Sequence, residues 1–343
     1  MTDDEPSNRL RERAAESRWK LWLFLEADRR LVVLVLVTGV FGVLLASGLL
    51  YPPAEEALRS GDSIDTLFQG FLTATITGVT LVLTLNQLVL SQELGAIGDQ
   101  RDRMRGAMEF REDAADMIDA SVSPARPAQF LRALVEVSAE RARDVREAAN
   151  RTADDEALED VEGLVRSLVG NAEEVSAGLD GARFGEFDVI SSALNFNYSW
   201  KLFTANRIRA EHGDAFDEEG LEALDGLAEV LGLFGPAREH FKTLYFQWEL
   251  IDLSRAVFAW ALPALLVSVF MVAFFDAEAY TYSPFGVGTL VPLVAVAATV
   301  ATIPFLVLLA YVLRIATVTK HTLSIGPFIL RETDEVTEVE WED

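Results

Sequence analysis

The 343-residue chain contains no cysteine. It can therefore form no disulfide, no thiolate metal site and no cysteine nucleophile. Lysine is nearly as scarce: of 29 basic residues only Lys20, Lys201, Lys242 and Lys320 are lysines, against 54 acids and a formal net charge of −25. The three histidines, His212, His240 and His321, lie far apart, and none has a ligand-like neighbour at helical spacing, so no metal site is expected. No HExxH, Walker loop, nucleophile elbow or dinucleotide fingerprint occurs. Gly286-Val287-Gly288 is a lone glycine pair at the start of an apolar run. Paired acids such as Asp154-Asp155 and Glu173-Glu174 are as frequent as an acid-rich chain makes them. On these grounds the chain is expected to be no enzyme and to carry no cofactor. Nucleic-acid binding is not expected either, because the arginines are interleaved with a larger number of acids.

Charge is missing in a second sense. Half of the residues are hydrophobic, and they gather into runs at residues 31–51, 67–92, 256–275 and 286–313. Each run is long enough to cross a bilayer as a helix. None holds Asp, Glu, Lys, Arg or His in its central part, which argues against a proton-coupled pump and leaves room for a passive pore. The first 30 residues are charged throughout, and the run that follows has no small-residue cleavage site, so no cleavable signal peptide is expected. Around Trp19 to Leu25 an interfacial helix is expected. Pro52-Pro53 stops the first span, in which Thr38, Gly42 and Ala46 form a small-residue ridge for helix packing. Pro263, Pro292 and Pro304 predict kinks.

Arg29, Arg30, Arg101, Arg103, Arg105, Arg255, Arg314 and Lys320 all flank one end of the four spans. The loop at 52–63 has Arg59 as its one basic residue, and the loop at 276–285 has none. The positive-inside rule then places residues 1–30, 94–255 and 315–343 in the cytoplasm. This gives a multi-pass cell-membrane protein of two transmembrane hairpins, 31–93 and 256–314, with both termini inside. Acid-rich, lysine-poor surfaces stay hydrated where multimolar salt shortens electrostatic range to about 3 Å. The composition thus reads as that of a salt-in halophile, a haloarchaeon.

The middle region is helical by pattern. Leu131, Val135, Ser138, Ala142, Val145 and Ala149 alternate four and three apart, as do Leu158, Val161, Val165, Leu168, Ala172, Val175 and Leu179. Joined by a polar turn at 150–155, the two predict an antiparallel coiled-coil hairpin. Val189, Ala193, Phe196, Trp200 and Phe203 mark a third helix, and residues 216–234 a fourth that ends at Gly235-Pro236. Phe241, Leu244, Trp248 and Ile251 begin a helix that continues into the third span. Residues 317–330 are β-rich in composition, and 332–343 form an acidic tail.

The candidate site is a polar line on the second span. Thr73, Thr77, Thr80, Thr84, Gln87 and Ser91 are three or four apart and share one helical stripe. Two readings compete. Either the hydroxyls are back-bonded and the stripe is a helix-packing seam, or several copies surround an axis and the stripe lines an aqueous path. Gln87 is too large for close packing and favours the second.

In the pieces Leu85-Asn86-Gln87-Leu88-Val89-Leu90-Ser91-Gln92-Glu93-Leu94-Gly95 and Tyr245-Phe246-Gln247-Trp248-Glu249-Leu250 the chain resembles uncharacterised haloarchaeal four-span membrane proteins, a likeness that implies no activity. In layout it is also similar to the bestrophin anion channels, with cytoplasmic ends, a helical insert between two hairpins and a second span that lines the pore. That family's aromatic, Asn-containing signature after the second span is absent here. The expected molecule is an all-α, four-span helical membrane protein with a cytoplasmic helical domain containing the coiled-coil hairpin. It is expected to be a homo-oligomer in the lipid bilayer, acting as a passive ion-conducting pore or as a non-conducting scaffold or sensor whose hairpin binds a cytoplasmic protein partner.

Overall fold

A computed structural model describes residues 27–182, 187–283 and 288–322. Among them all regular structure is helical. The interfacial helix expected near Trp19, the β-rich stretch beyond residue 322 and the acidic tail lie outside the described residues. Residues 317–322, read as β-rich, are the last turns of a helix. Four helices are long and apolar enough to cross a membrane, and the chain is by that measure a multi-pass membrane protein.

The chain divides into two compact units. The apolar unit comprises Trp22–Leu94 and Gln247–Thr317. It contains α1 (Arg29–Leu50), α2 (Ala54–Arg59), α3 (Ser63–Glu93), residues 247–273 of α9 (Glu218–Ala273) and most of α10 (Leu290–Thr322). Asp28 caps α1 by accepting the Arg30 N–H at 2.7 Å, and Pro52 follows its end.

α10 is the helix on which the others pack: 56% of its apolar window is buried, against 6% for α1 and 17% for α3. Small residues make this close packing workable, since Ala297, Ala298 and Ala301 are buried against Ile64, Phe68 and Met271. Further along, Ile303 and Val307 pack against Val82, Leu253 and Val257. A Cβ on Gly78 would stand 3.3 Å from the Phe305 ring, and one on Gly48 would meet Val291. The packing ridge expected at Thr38, Gly42 and Ala46 is exposed instead, because α1 packs through another side, that of Val33, Val37 and Gly48. Pro304 sits inside α10 as expected. Pro292 does not, because α10 starts at Leu290 and a first-turn proline forfeits no intrahelical hydrogen bond.

Two arginines organise the ends of this unit. Arg29 pairs with Glu249, both side chains being about seven-eighths buried. At the other end Arg59 donates to the carbonyls of Ala277 and Tyr280, both at 2.8 Å, and to Glu55. The one basic residue of the first loop thus clamps the second loop.

The helical unit, Gly95–Phe246 with outlying segments, contains α4 (Ile97–Met117), α5 (Pro127–Ala149), α6 (Asp155–Leu179), α7 (Phe187–Leu194), α8 (Tyr198–His212) and residues 218–246 of α9. α5 and α6 form a helical hairpin. Every member of their two heptad series is buried except Leu158, which is half-buried. Phe130, Leu134, Leu164 and Asn171 are buried as well, so the buried face is wider than a two-position seam. α7, α8 and the start of α9 cover it, through Val189, Phe196, Leu227, Leu231 and Phe234.

The expected third helix is two helices, broken at residues 195–197. Lys201, fully buried, holds the break: its Nζ donates to Asn171 Oδ1 at 2.9 Å, and Asn171 Nδ2 donates to the Asn195 carbonyl at 2.9 Å. The expected stop at Gly235-Pro236 does not occur, since α9 runs through it. Gly235 is there for approach, as a Cβ would stand 2.8 Å from the Tyr198 ring. Asp217 caps α9 by accepting the Gly220 N–H at 2.8 Å. The Arg151 guanidinium bonded to that carboxyl, helped by the Gly220 N–H, holds it below the usual aspartate range.

Leu168 is fully buried in this core. Leu168→Asp places an unpaired charge there and is expected to cost several kcal/mol, on the order of 3–5. Glu173, on the exposed face of α6, should tolerate Gln. Chemical unfolding of the full chain in multimolar KCl, followed by helicity, checks this; equal stability of the two variants would contradict the packing described.

Candidate functional site

Helix α3 has two opposite faces. At 100° per residue, Ile64, Phe68, Thr75 and Val82 share one side and are all buried. Thr73, Thr77, Thr80, Thr84, Gln87 and Ser91 lie about 180° away and are all exposed. The polar line therefore points straight out of its own chain, and no described helix covers it. Among the described residues, none packs over the line as a seam within one chain.

The hydroxyls on the line turn inward. Thr77 Oγ1 donates to the Thr73 carbonyl at 2.8 Å, Thr80 to Ile76 at 2.9 Å and Thr84 to Thr80 at 3.0 Å. Thr73 bonds Gln69 at 3.1 Å, and Ser91 bonds Leu88 at 2.7 Å. Each donor is satisfied by its own helix, and each oxygen still offers a lone pair outward. Gln87 is different: its amide has no hydrogen-bond partner among the described residues, and it is exposed. An amide left so in hydrocarbon costs several kcal/mol.

The line is longer than the six residues identified by pattern. Thr66 and Gln69 continue the same three-four spacing, lie on the same side and are exposed. Their signal was present in the sequence as spacing. From Thr66 to Ser91 the line runs 25 residues, about 37 Å, more than the roughly 30 Å of a hydrocarbon core. Hydroxyls fill its middle, and Gln69 and Gln87 stand toward its two ends.

The buried face carries polar groups that pattern alone did not single out. Asn86 Oδ1 accepts from Ser254 Oγ at 2.8 Å, linking α3 to α9. Thr75 is 1% exposed, and its Oγ1 has no hydrogen-bond partner among the described residues. Replacing it by the isosteric Val removes an unpaired buried hydroxyl, so Thr75→Val is expected to stabilise the protein by about 1–2 kcal/mol. Thermal or denaturant unfolding in detergent checks this, and a loss of stability would mean that the hydroxyl has a partner after all.

In the helical unit, His212 stands between two carboxylates, with Nδ1 3.8 Å from Asp154 and Nε2 3.5 Å from Asp160. Spacing in sequence gave no sign of this grouping, because α6 and α8 bring it together. Asp160, Glu211 and His212 offer ligand atoms that all lie within 4.8 Å of one another. Arg207 already pairs with Asp160 at 3.2 Å and Glu211 at 3.6 Å. A cation would have to displace this guanidinium to bind.

A family model matches residues 1–343 and is described as Family of unknown function (DUF7972). No curated protein and no solved structure matches the chain.

Proposed function

The chain belongs to the DUF7972 family, and we propose that it is a homo-oligomeric passive pore in which α3 of each copy turns its polar line toward a shared axis. The observation that carries this reading is the outward line itself, which is longer than the hydrocarbon core is thick and holds amides, Gln69 and Gln87, toward its two ends, where hydrocarbon could not satisfy them. Rings of such groups around an axis would offer oxygens to a permeating ion while keeping each hydroxyl proton bonded to its own helix. The reading assigns no catalytic step. By the positive-inside rule, the arginines flanking the four apolar runs support a cytoplasmic side for both termini and the helical unit. The alternative role for the hairpin, capture of a cytoplasmic partner through a free coiled-coil seam, is disfavoured because its heptad residues are already buried.

Single cysteines test this directly in a chain that has none. Cysteines at Thr77, Thr80 and Thr84 should react with a small hydrophilic thiol reagent in reconstituted membranes, while one at Val82, 1% exposed, should not. On sealed cells an impermeant maleimide should label position 56 and spare position 143. Thr80→Leu or Thr84→Leu should lower conductance in multimolar KCl with helicity unchanged. If instead the line is a dry seam between copies, the cysteines stay unreactive and the Leu variants cost about 1–3 kcal/mol of stability. Unreactive stripe cysteines together with no conductance in the unmodified protein would refute the pore.

A further inference from the structure

Within the apolar unit a cavity of about 720 Å³ opens between α1, α9 and α10. Each helix lines it over eight residue steps: Arg29 to Val37, Asp252 to Trp260, and Tyr311 back to Ile303. In all three the polar member lies at the same end. The groove thus has a charged mouth and an apolar floor of Val33, Val37, Ile303 and Val307. Eight residues of helix measure roughly 12 Å, close to the ~15 Å depth of one bilayer leaflet. Leu34 and Trp260, at 60% and 44% exposure, leave its side open.

The charges at the mouth are unequally engaged. Arg29 is neutralised by Glu249 and stacks over the Tyr311 ring at 5.3 Å, so it belongs to the wall. Arg30 is exposed, and among the described residues no carboxylate pairs with it. Arg255 is 79% exposed and held loosely by Asp252 at 3.8 Å. Two arginines facing one aspartate make a cationic spot on a chain whose net charge is −25. Guanidinium groups match phosphate oxygens in geometry as well as charge.

We propose that this groove is a binding site for an anionic phospholipid, its phosphate held by Arg30 and Arg255 and one acyl chain laid along Val33, Val37, Ile303 and Val307. The depth of the apolar floor and its opening toward hydrocarbon select a lipid over a free phosphate, which would leave the floor uncovered. Basic pockets between membrane helices are suited to anionic headgroups for the same electrostatic reason. The inference is independent of whether α3 conducts.

Trp260 lies in the groove and provides the readout. The full-length protein is reconstituted in vesicles of phosphatidylcholine with increasing phosphatidylglycerol, one or the other lipid carrying bromine on its acyl chains. The Trp260 signal is taken as the difference between wild type and Trp260→Phe. Brominated phosphatidylglycerol should quench this signal with an apparent affinity roughly five- to thirty-fold above that of brominated phosphatidylcholine. The double variant Arg30→Gln/Arg255→Gln should bring the ratio near one, whereas Arg101→Gln, an exposed arginine outside the groove, should leave it unchanged. Val37→Trp, read through brominated-lipid retention with both arginines intact, should also abolish the preference by filling the floor. Equal quenching by the two lipids, or a preference that survives either groove variant, would overturn the proposal.

Discussion

A hydrogen-bond donor standing in hydrocarbon has nothing to bond but its own helix or another polar group, and the apolar unit is arranged around that constraint. On α3 the hydroxyls of Thr73, Thr77, Thr80, Thr84 and Ser91 on the outward line are each returned to a carbonyl three or four residues back. On its inward side Asn86 is bonded across to Ser254. α10 meets the same constraint differently, with Thr299 bonded to the Ala295 carbonyl at 2.7 Å and a run of buried alanines that lets its neighbours close in. Charge is kept to the ends, where Arg29 meets Glu249 and Arg59 meets the carbonyls of the opposite loop. What these arrangements leave over are the Thr75 hydroxyl on the inner side of α3 and the side-chain amides on its outer side. The functional reading grows from that remainder.

How much of this was legible in the sequence depends on whether the deciding neighbour is near in the chain. The four spans were legible because length and absence of charge are local properties. So was the unbroken passage from Phe241 into the third span, for which no breaker intervenes. Gly235-Pro236 was misread because its meaning is set by Tyr198, 37 residues upstream, whose ring needs the space a Cβ would take. The break at 195–197 escaped notice for a like reason: the lysine and asparagine that hold it come from α8 and α6. Leu131 to Ala149 and Val161 to Leu179 were correctly marked as buried, but a seven-residue period cannot say whether the cover is one helix or several. Here several helices supply it.

The site divides along the same line. Six of its residues were found by spacing, and Thr66 and Gln69 were available to the same test. That the line faces away from the protein could not be read, because a stripe of threonines has the same period whether it is covered or bare. The lipid groove was not legible at all: Arg30, Arg255 and Ile303 come from three helices far apart in sequence. Both features are surfaces of the apolar unit, and the two proposals complete them from outside the chain, with another copy in one case and a lipid in the other.

The claim that copies meet through the α3 line is tested most directly by cross-linking in the native membrane. Single cysteines are placed in turn at Thr77, Thr80, Thr84 and Val82 and oxidised before detergent is added. Disulfides require the two Cα atoms within roughly 7 Å, so a narrow axial arrangement predicts covalent dimers from the three stripe positions and none from Val82, which is packed inside its own chain. Absence of cross-links at all three stripe positions, with Val82 equally silent, would contradict a narrow axis lined by α3.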